Sequence, residues 1–239
     1  MFQRWNDLLF AHWPVPAKTI APLLPPGLIL DTFDGAAWIG VVPFFIDCVR
    51  TRTFGTHTFA VPTTTEFCEL NLRTYVRSPR SGLSGVYFFS LDAASALAVL
   101  GARTAFGLAY FWAAMKSTTA ADGAINYSST RLLPRRVCFE ASYRGLGSVS
   151  PVTTPGTLEY FLTARYCLFT RYAGRVLVAH IHHLPWPLEP AEAEIRINQL
   201  PSAHHITLPA SAPLLHFSRR LEVYIWSPRR DLPFEHRPR

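Results

Sequence analysis

The sequence predicts an α+β fold that is mainly β: an antiparallel or mixed sheet curled into a barrel or sandwich, with two or three short helices. Strand-like apolar runs recur along the 239 residues with no regular βα rhythm between them. The 20 prolines are spread along the chain, which favours many short elements joined by tight turns. Residues 67 to 76, FCELNLRTYV, alternate strictly between a polar and an apolar face, as a strand must when its two sides meet different surroundings. With 49% hydrophobic and 16% charged residues the chain can fill a large core. Neither a repeat nor a linker divides it, so a single domain over residues 1–239 is expected, with a flexible basic tail from about residue 228.

Taken in order, residues 16 to 24, PAKTIAPLL, read as a short helix stopped by Pro25-Pro26-Gly27. LILDTFDG supplies a short strand and an Asp34-Gly35 turn, and AAWIGVVPFFI at 36 to 46 a longer strand that completes a hairpin. After the strand at 67 to 76 and the turn-rich SPRSGLSG comes VYFFSL, 86 to 91. A helix follows from about Ala94 to Arg103, for which Ser90 and Asp92 are candidate N-terminal caps. Further strands are expected at about 106 to 115, 124 to 130, 137 to 143, 157 to 169, 175 to 183 and 221 to 226. Residues 144 to 156 and the last ten or so should be the least ordered.

The formal charge of +7 is almost wholly arginine, because Lys18 and Lys116 are the only lysines among 23 basic residues. Arginine suits phosphate and carboxylate recognition. Its residues gather only loosely, at Arg219, Arg220, Arg229, Arg230, Arg237 and Arg239, so no nucleic-acid partner is expected. Residues 95 to 115 are nearly all apolar, but Arg103 near their middle would cost roughly 2.5–3.5 kcal/mol on membrane insertion. No membrane span is expected. The first residues carry charges and a proline where a signal peptide needs an apolar core. Cys48, Cys68, Cys138 and Cys167 are widely spaced with no CxxC, as reduced thiols of a cytoplasmic protein would be.

Nucleophile-elbow, P-loop and dinucleotide-binding patterns are absent. In AHIHHLPWPL, His180 and His182 share a strand face as two metal ligands would, but no third ligand is identifiable. The simpler reading is a strand end whose imidazoles bond to backbone or water, and neither a metal nor a cofactor is expected. The polar face of 67 to 76 is more informative. Pointing outward, Glu69, Asn71 and Arg73 are an ordinary solvated surface. Pointing into a curled sheet, they and the Tyr75 phenol line a polar cavity able to hold a small molecule.

The stretches WNDLLFAHWPVP, LLPPGLILDTFDGAAWIGVVPF, ELNLRTYV, GVYFFSLDA, ARTAFGLAYF, FLTARYCLF and HLPWPL together resemble the YqjF-like family. That family is a distant branch of the acetoacetate decarboxylase-like superfamily, and the likeness runs to about residue 226. It implies a cone-shaped, strongly curved antiparallel or mixed β-barrel with a few short helices, and a homo-oligomer. In the decarboxylases a strand carries Pro-Lys-Lys, whose first lysine forms a Schiff base with the β-keto acid. The resemblance places Ala109 on that proline, Tyr110 and Phe111 on the two lysines, Arg103 on an upstream arginine and Glu69 on an active-site glutamate. Leu23 to Asp31 resembles a further superfamily stretch.

The departure bears on mechanism. Schiff-base decarboxylation needs an amine of depressed pKa, and both lysines of the pair are gone. Lys116 lies ~20 Å along an extended strand from Tyr110. Two readings therefore stand for one cavity. The first is binding of a carboxylate- or carbonyl-bearing metabolite without decarboxylation. The second is non-covalent acid/base chemistry of a lyase or hydrolase type on a small keto or hydroxy acid. Glu69 and Tyr110 are the candidate catalytic groups, and Asn71, Arg73, Arg103, Phe111 and Tyr87 the candidate ligand-binding ones.

Overall fold

A computed structural model describes residues 1–52, 58–59 and 65–233. Strand β1 (Phe2–Pro16) is followed by helix α1 (Ala17–Ile20), a single 3-10 turn at Ala21–Leu23, and strands β2 (Ile29–Leu30), β3 (Ala36–Arg52), β4 (Thr58–Phe59), β5 (Phe67–Arg77) and β6 (Ser84–Ala93). Helix α2 (Ala96–Phe106) leads to β7 (Tyr110–Thr119), β8 (Ile125–Arg131), β9 (Val137–Gly145) and β10 (Ser150–Pro151). Helix α3 (Leu158–Thr163), β11 (Cys167–Tyr172), β12 (Arg175–His183), β13 (Pro187–Asn198), α4 (Leu200–Ala203), β14 (Leu214–Ile225) and β15 (Arg229–Arg230) complete the order.

The strands pair into one 15-stranded sheet that closes on itself twice. A nine-stranded barrel runs β3-β5-β6-β7-β8-β9-β13-β14-β1 and returns to β3. A second closed ring leaves it at β6, passes through β11 and β12, and rejoins at β14. The two rings share the wall β14-β1-β3-β5-β6. Almost all pairs are antiparallel, but β6 pairs in parallel with both β7 and β11. The sheet forks there: Leu91 to Ala93 meet β7, while Val86 and Tyr87 meet β11.

Period-two alternation sends each shared strand's residues into two different cores. From β5, Leu70 and Leu72 enter the nine-stranded barrel with Ile39, Val41, Tyr127 and Phe139. Phe67 and Tyr75 face the other ring with Phe44, Leu168 and Val223. Ten of the eleven residues of β5 are consequently buried.

Several elements differ from the sequence expectation. Strand β1 is an addition to it: Asp7 within the strand adopts a left-handed φ of 49°, and the register with β3 slips between Asn6 and Ala11, which breaks the alternation a strand normally shows. Strand β13 is another addition, hidden because its inward face is built largely from small alanines, Ala191 and Ala193, with Ile195. The expected strand at 157 to 169 begins as helix α3, since the Thr157 side chain accepts a bond from the Tyr160 amide and caps it; the strand starts at Cys167. Helix α2 is capped by Ser95, not by Ser90 or Asp92, both of which are buried in β6. Gly107, left-handed at φ 62°, ends that helix, so the next strand starts at Tyr110 instead of 106.

The stretch 144 to 156 contains β10, which pairs with β13. At the chain end, Arg229–Arg230 pairs with β12 and Asp231 is buried, while residues 234–239 lie outside the described residues. Among the described residues no helix is long and apolar enough to cross a membrane.

The fork requires a glycine. A Cβ on Gly85 would lie 2.3 Å from the carbonyl oxygen of Cys167, a backbone atom with no room to yield. Gly85→Ala should therefore destabilise the protein by about 1–3 kcal/mol, as an overpacked core position does, measured by urea denaturation.

Candidate functional site

Strand β5 presents Glu69, Asn71 and Arg73 toward the second ring, where a cavity of about 570 Å³ lies between the shared wall, β11, β12 and helix α2. Most of its lining is apolar, including Phe67, Phe88, Leu168 and Ile181. The polar groups are few: these three side chains, with Gln3, Thr104 and Tyr110. That composition is typical of small-molecule sites, which combine an apolar body with a small number of orienting groups. Leu97 and Leu100 of α2 line the cavity and are also exposed, so the mouth lies beside this helix.

Tyr110 reaches the cavity because β7 begins where α2 releases the chain at the fork. Its hydroxyl donates to Glu69 Oε2 at 2.7 Å. Glu69 is only 4% exposed, and burial pushes its carboxyl up to about 7, against a smaller opposing effect of the Tyr110 bond. Burial and the neighbouring carboxyl push the Tyr110 phenol well above its ordinary value, so it stays a neutral donor. From the opposite face of the wall, the buried Tyr127 hydroxyl donates to the Glu69 carbonyl oxygen at 2.7 Å and pins this part of β5.

Asn71 and Arg73 are less satisfied. The Asn71 Oδ1 and Arg73 Nε atoms are buried with no hydrogen-bond partner. Arg73 packs its guanidinium over Phe10, 5.0 Å from the ring centre, and donates a long 3.4 Å bond to the Tyr75 hydroxyl. Tyr75 in turn hydrogen-bonds His12 Nε2 at 2.7 Å. Burial, with Arg73 beside it, holds His12 well below the usual imidazole range and hence neutral. His12 is not among the candidates that the sequence offers, whereas Tyr75 is, as the phenol of the polar face of 67 to 76. A histidine within AHWPVP carries no local signal, and only the pairing of β1, β3 and β5 brings it to Tyr75.

The other candidates lie elsewhere. Phe111 is turned to the opposite face of β7, where the guanidinium of Arg131 sits 4.2 Å from its ring and pairs with the buried Asp92. Arg103 is exposed on α2 and does not line the cavity. Tyr87 packs edge-on against Phe89 and beside the small core of Leu28, Val76 and Phe169, also outside the cavity lining. Lys18 and Lys116 are both exposed and neither lines the cavity. His180 contacts Cys167 Sγ at 3.7 Å and the Arg229 guanidinium at 2.6 Å, and His182 is exposed on the same strand. Among the described residues no three His, Cys, Asp or Glu side chains are grouped to hold a metal ion.

The raised Glu69 carboxyl makes stability depend on pH. The unfolded chain gives up this proton near 4.5, whereas the folded protein holds it to about 7, so stability falls as pH rises between those values. Glu69→Gln should reduce that fall by on the order of 3 kcal/mol, read from urea denaturation at pH 4.5 and 7.5. Tyr110→Phe removes the one bond that favours the ionised form. In that variant the infrared carboxyl band of Glu69 should persist to higher pH than in the wild type.

Residues 2–222 match the DUF2071 family, described as an uncharacterized conserved protein. The chain is 47% identical over 231 residues to the uncharacterized protein YqjF of Bacillus subtilis, covering 95% of this chain and 90% of that one. Among solved structures, the enduracididine biosynthesis enzyme MppR, complexed with the condensation product of pyruvate and imidazole 4-carboxaldehyde, superposes with a TM-score of 0.65 at 12% identity, over 96% of this chain and 88% of that one. An acetoacetate decarboxylase from Legionella pneumophila superposes at 0.57 with 14% identity, over 96% and 87%. The fold is thus acetoacetate decarboxylase-like, and by its sequence over almost its full length the chain belongs to the DUF2071, YqjF-like family.

Proposed function

We propose that the protein binds a small carboxylate- or carbonyl-bearing metabolite in the α2-covered cavity and does not decarboxylate it through a Schiff base. The observation that carries this reading is the convergence of a bonded Glu69–Tyr110 pair, an unsatisfied Asn71 and an unsatisfied Arg73 on one largely apolar cavity of about 570 Å³. Burying these groups is costly unless something completes their hydrogen bonding. The position where a Schiff-base lysine is expected from the resemblance holds Tyr110, a neutral hydroxyl that donates and forms no imine. MppR, described in complex with pyruvate and with a pyruvate condensation product, is a structural neighbour that holds such compounds. The four cysteines are free thiols, in keeping with a cytoplasmic, bacterial protein.

One observation favours acid/base chemistry in the same cavity. Glu69 is held at about 7, where a carboxyl can both give and take a proton under neutral conditions, with Tyr110 beside it as a donor. Under that reading Glu69 moves the proton and Tyr110 holds the substrate oxygen.

Keto acids, hydroxy acids and aromatic carboxylates screened by thermal shift should include classes that stabilise the wild type. Ala98→Trp, which sets an indole into the cavity lining, should abolish the shift. Stabilisation unaffected by that change, or no stabilisation by any class, overturns the binding reading. Turnover assays on each stabilising compound decide between the two readings, since binding without turnover removes the enzyme reading for those classes. Borohydride reduction in the presence of acetoacetate should leave Lys18 and Lys116 without adduct, checked by mass spectrometry.

A further inference from the structure

Among the described residues three arginine side chains are almost wholly enclosed. Arg131, 3% exposed, has Asp92 at 3.4 Å. Arg165, 8% exposed, has Asp31 at 2.6 Å. Arg73, 7% exposed, has no carboxylate within salt-bridge distance among the described residues, and it is the one of the three that lines the cavity. Its direct contacts are uncharged, the faces of Phe10 and Tyr75, the Tyr75 hydroxyl and the neutral His12, and the other guanidinium on the Tyr75 ring, that of Arg165, is already paired with Asp31. Glu69, four residues earlier on the same strand, is engaged by Tyr110, and burial and that bond govern its carboxyl without a contribution from Arg73.

A guanidinium keeps its proton at any pH the protein meets, so it cannot escape an enclosed site by becoming neutral as a lysine or histidine does. An enclosed cation without a partner is unfavourable by several kcal/mol, and a charge-assisted bidentate pair with a carboxylate is the strongest way to relieve it. The two aromatic faces supply part of that compensation. The Arg73 Nε atom is buried with no acceptor, so the hydrogen bonding of this guanidinium, whose residue lines the cavity, is incomplete.

We propose that Arg73 is the anion-recognising group of the cavity and that the ligand is an amphipathic monoanion: one carboxylate on Arg73, an apolar or aromatic body against the lining, and an uncharged carbonyl or hydroxyl at Asn71 and the Glu69–Tyr110 pair. This rests on the cavity reading above and narrows it. Among the described residues of the lining no other side chain is cationic and the Met1 amino group already donates to the Ile225 carbonyl oxygen, so a second carboxylate would meet Glu69 or apolar side chains and a dianion is disfavoured. A neutral analogue leaves the guanidinium unpaired. The cavity volume of about 570 Å³ falls within the roughly 300–1,000 Å³ that enclose drug-sized ligands, which leaves room for a body much larger than that of a four-carbon keto acid.

The test uses phenylpyruvate, its primary amide and 2-oxoglutarate, titrated calorimetrically into the wild type, Arg73→Met, Arg73→Lys and Ala98→Trp. In the wild type the acid should bind about tenfold or more tighter than the amide, the margin a charge-assisted bond supplies, and tighter than the dianion. Arg73→Met should bring acid and amide to within about twofold of each other. Without ligand this variant should melt at or above the wild-type temperature, because the unpaired cation is gone. Arg73→Lys should keep a reduced preference for the acid. Equal binding of acid and amide to the wild type, with Ala98→Trp abolishing both, overturns the Arg73 assignment and leaves the cavity reading standing. A preference that survives Arg73→Met also overturns it. If that variant is at the same time destabilised without ligand, the role of Arg73 is structural. If none of the three compounds binds the wild type, the cavity reading and the assignment fall together.

Discussion

A strand buried on both sides has no solvent to receive its polar residues, and β5 is such a strand. It belongs to the wall common to both closed rings, so most of its side chains are accommodated by one core or the other. The apolar half packs into the nine-stranded barrel in the ordinary way. Glu69, Asn71 and Arg73 face the second ring, and the fold leaves a cavity opposite them instead of more side chains. Most of what is distinctive about the site follows from that placement: the raised Glu69 carboxyl, the neutral Tyr110 that bonds it, and the guanidinium lying on aromatic rings.

The strands with regular alternation are legible in the amino-acid sequence, and β5 above all, because an alternating polar and apolar pattern survives whichever side is inside. Which side that is cannot be read from the pattern. A solvated face and an enclosed polar face have the same period, and only the second closure of the sheet through β11 and β12 decides between them. Strand β1 is hidden for a related reason. The left-handed residue at Asp7 shifts the alternation partway along, so the first half of the strand follows one phase and the second half the other.

Site residues divide along the same line. Glu69 and Tyr110 lie 41 positions apart, yet the likeness to the decarboxylases puts them together and the fork in the sheet makes them hydrogen-bonded neighbours. The same likeness carries Phe111 and Arg103 as well. Adjacent strand residues point to opposite faces, so Tyr110 lines the cavity while Phe111 meets the Arg131 guanidinium, and Arg103 lies on the exposed side of α2. His12 can be found only through tertiary pairing, since its importance lies in what it touches and not in what surrounds it along the chain.

The shared wall also separates two kinds of change. On β5 Glu69, Asn71 and Arg73 meet the cavity whereas Leu70 and Leu72 meet the nine-stranded barrel, so substitutions that alter recognition need not disturb the packing that keeps the barrel closed. Drift in chemistry can then proceed on one face while the other stays fixed.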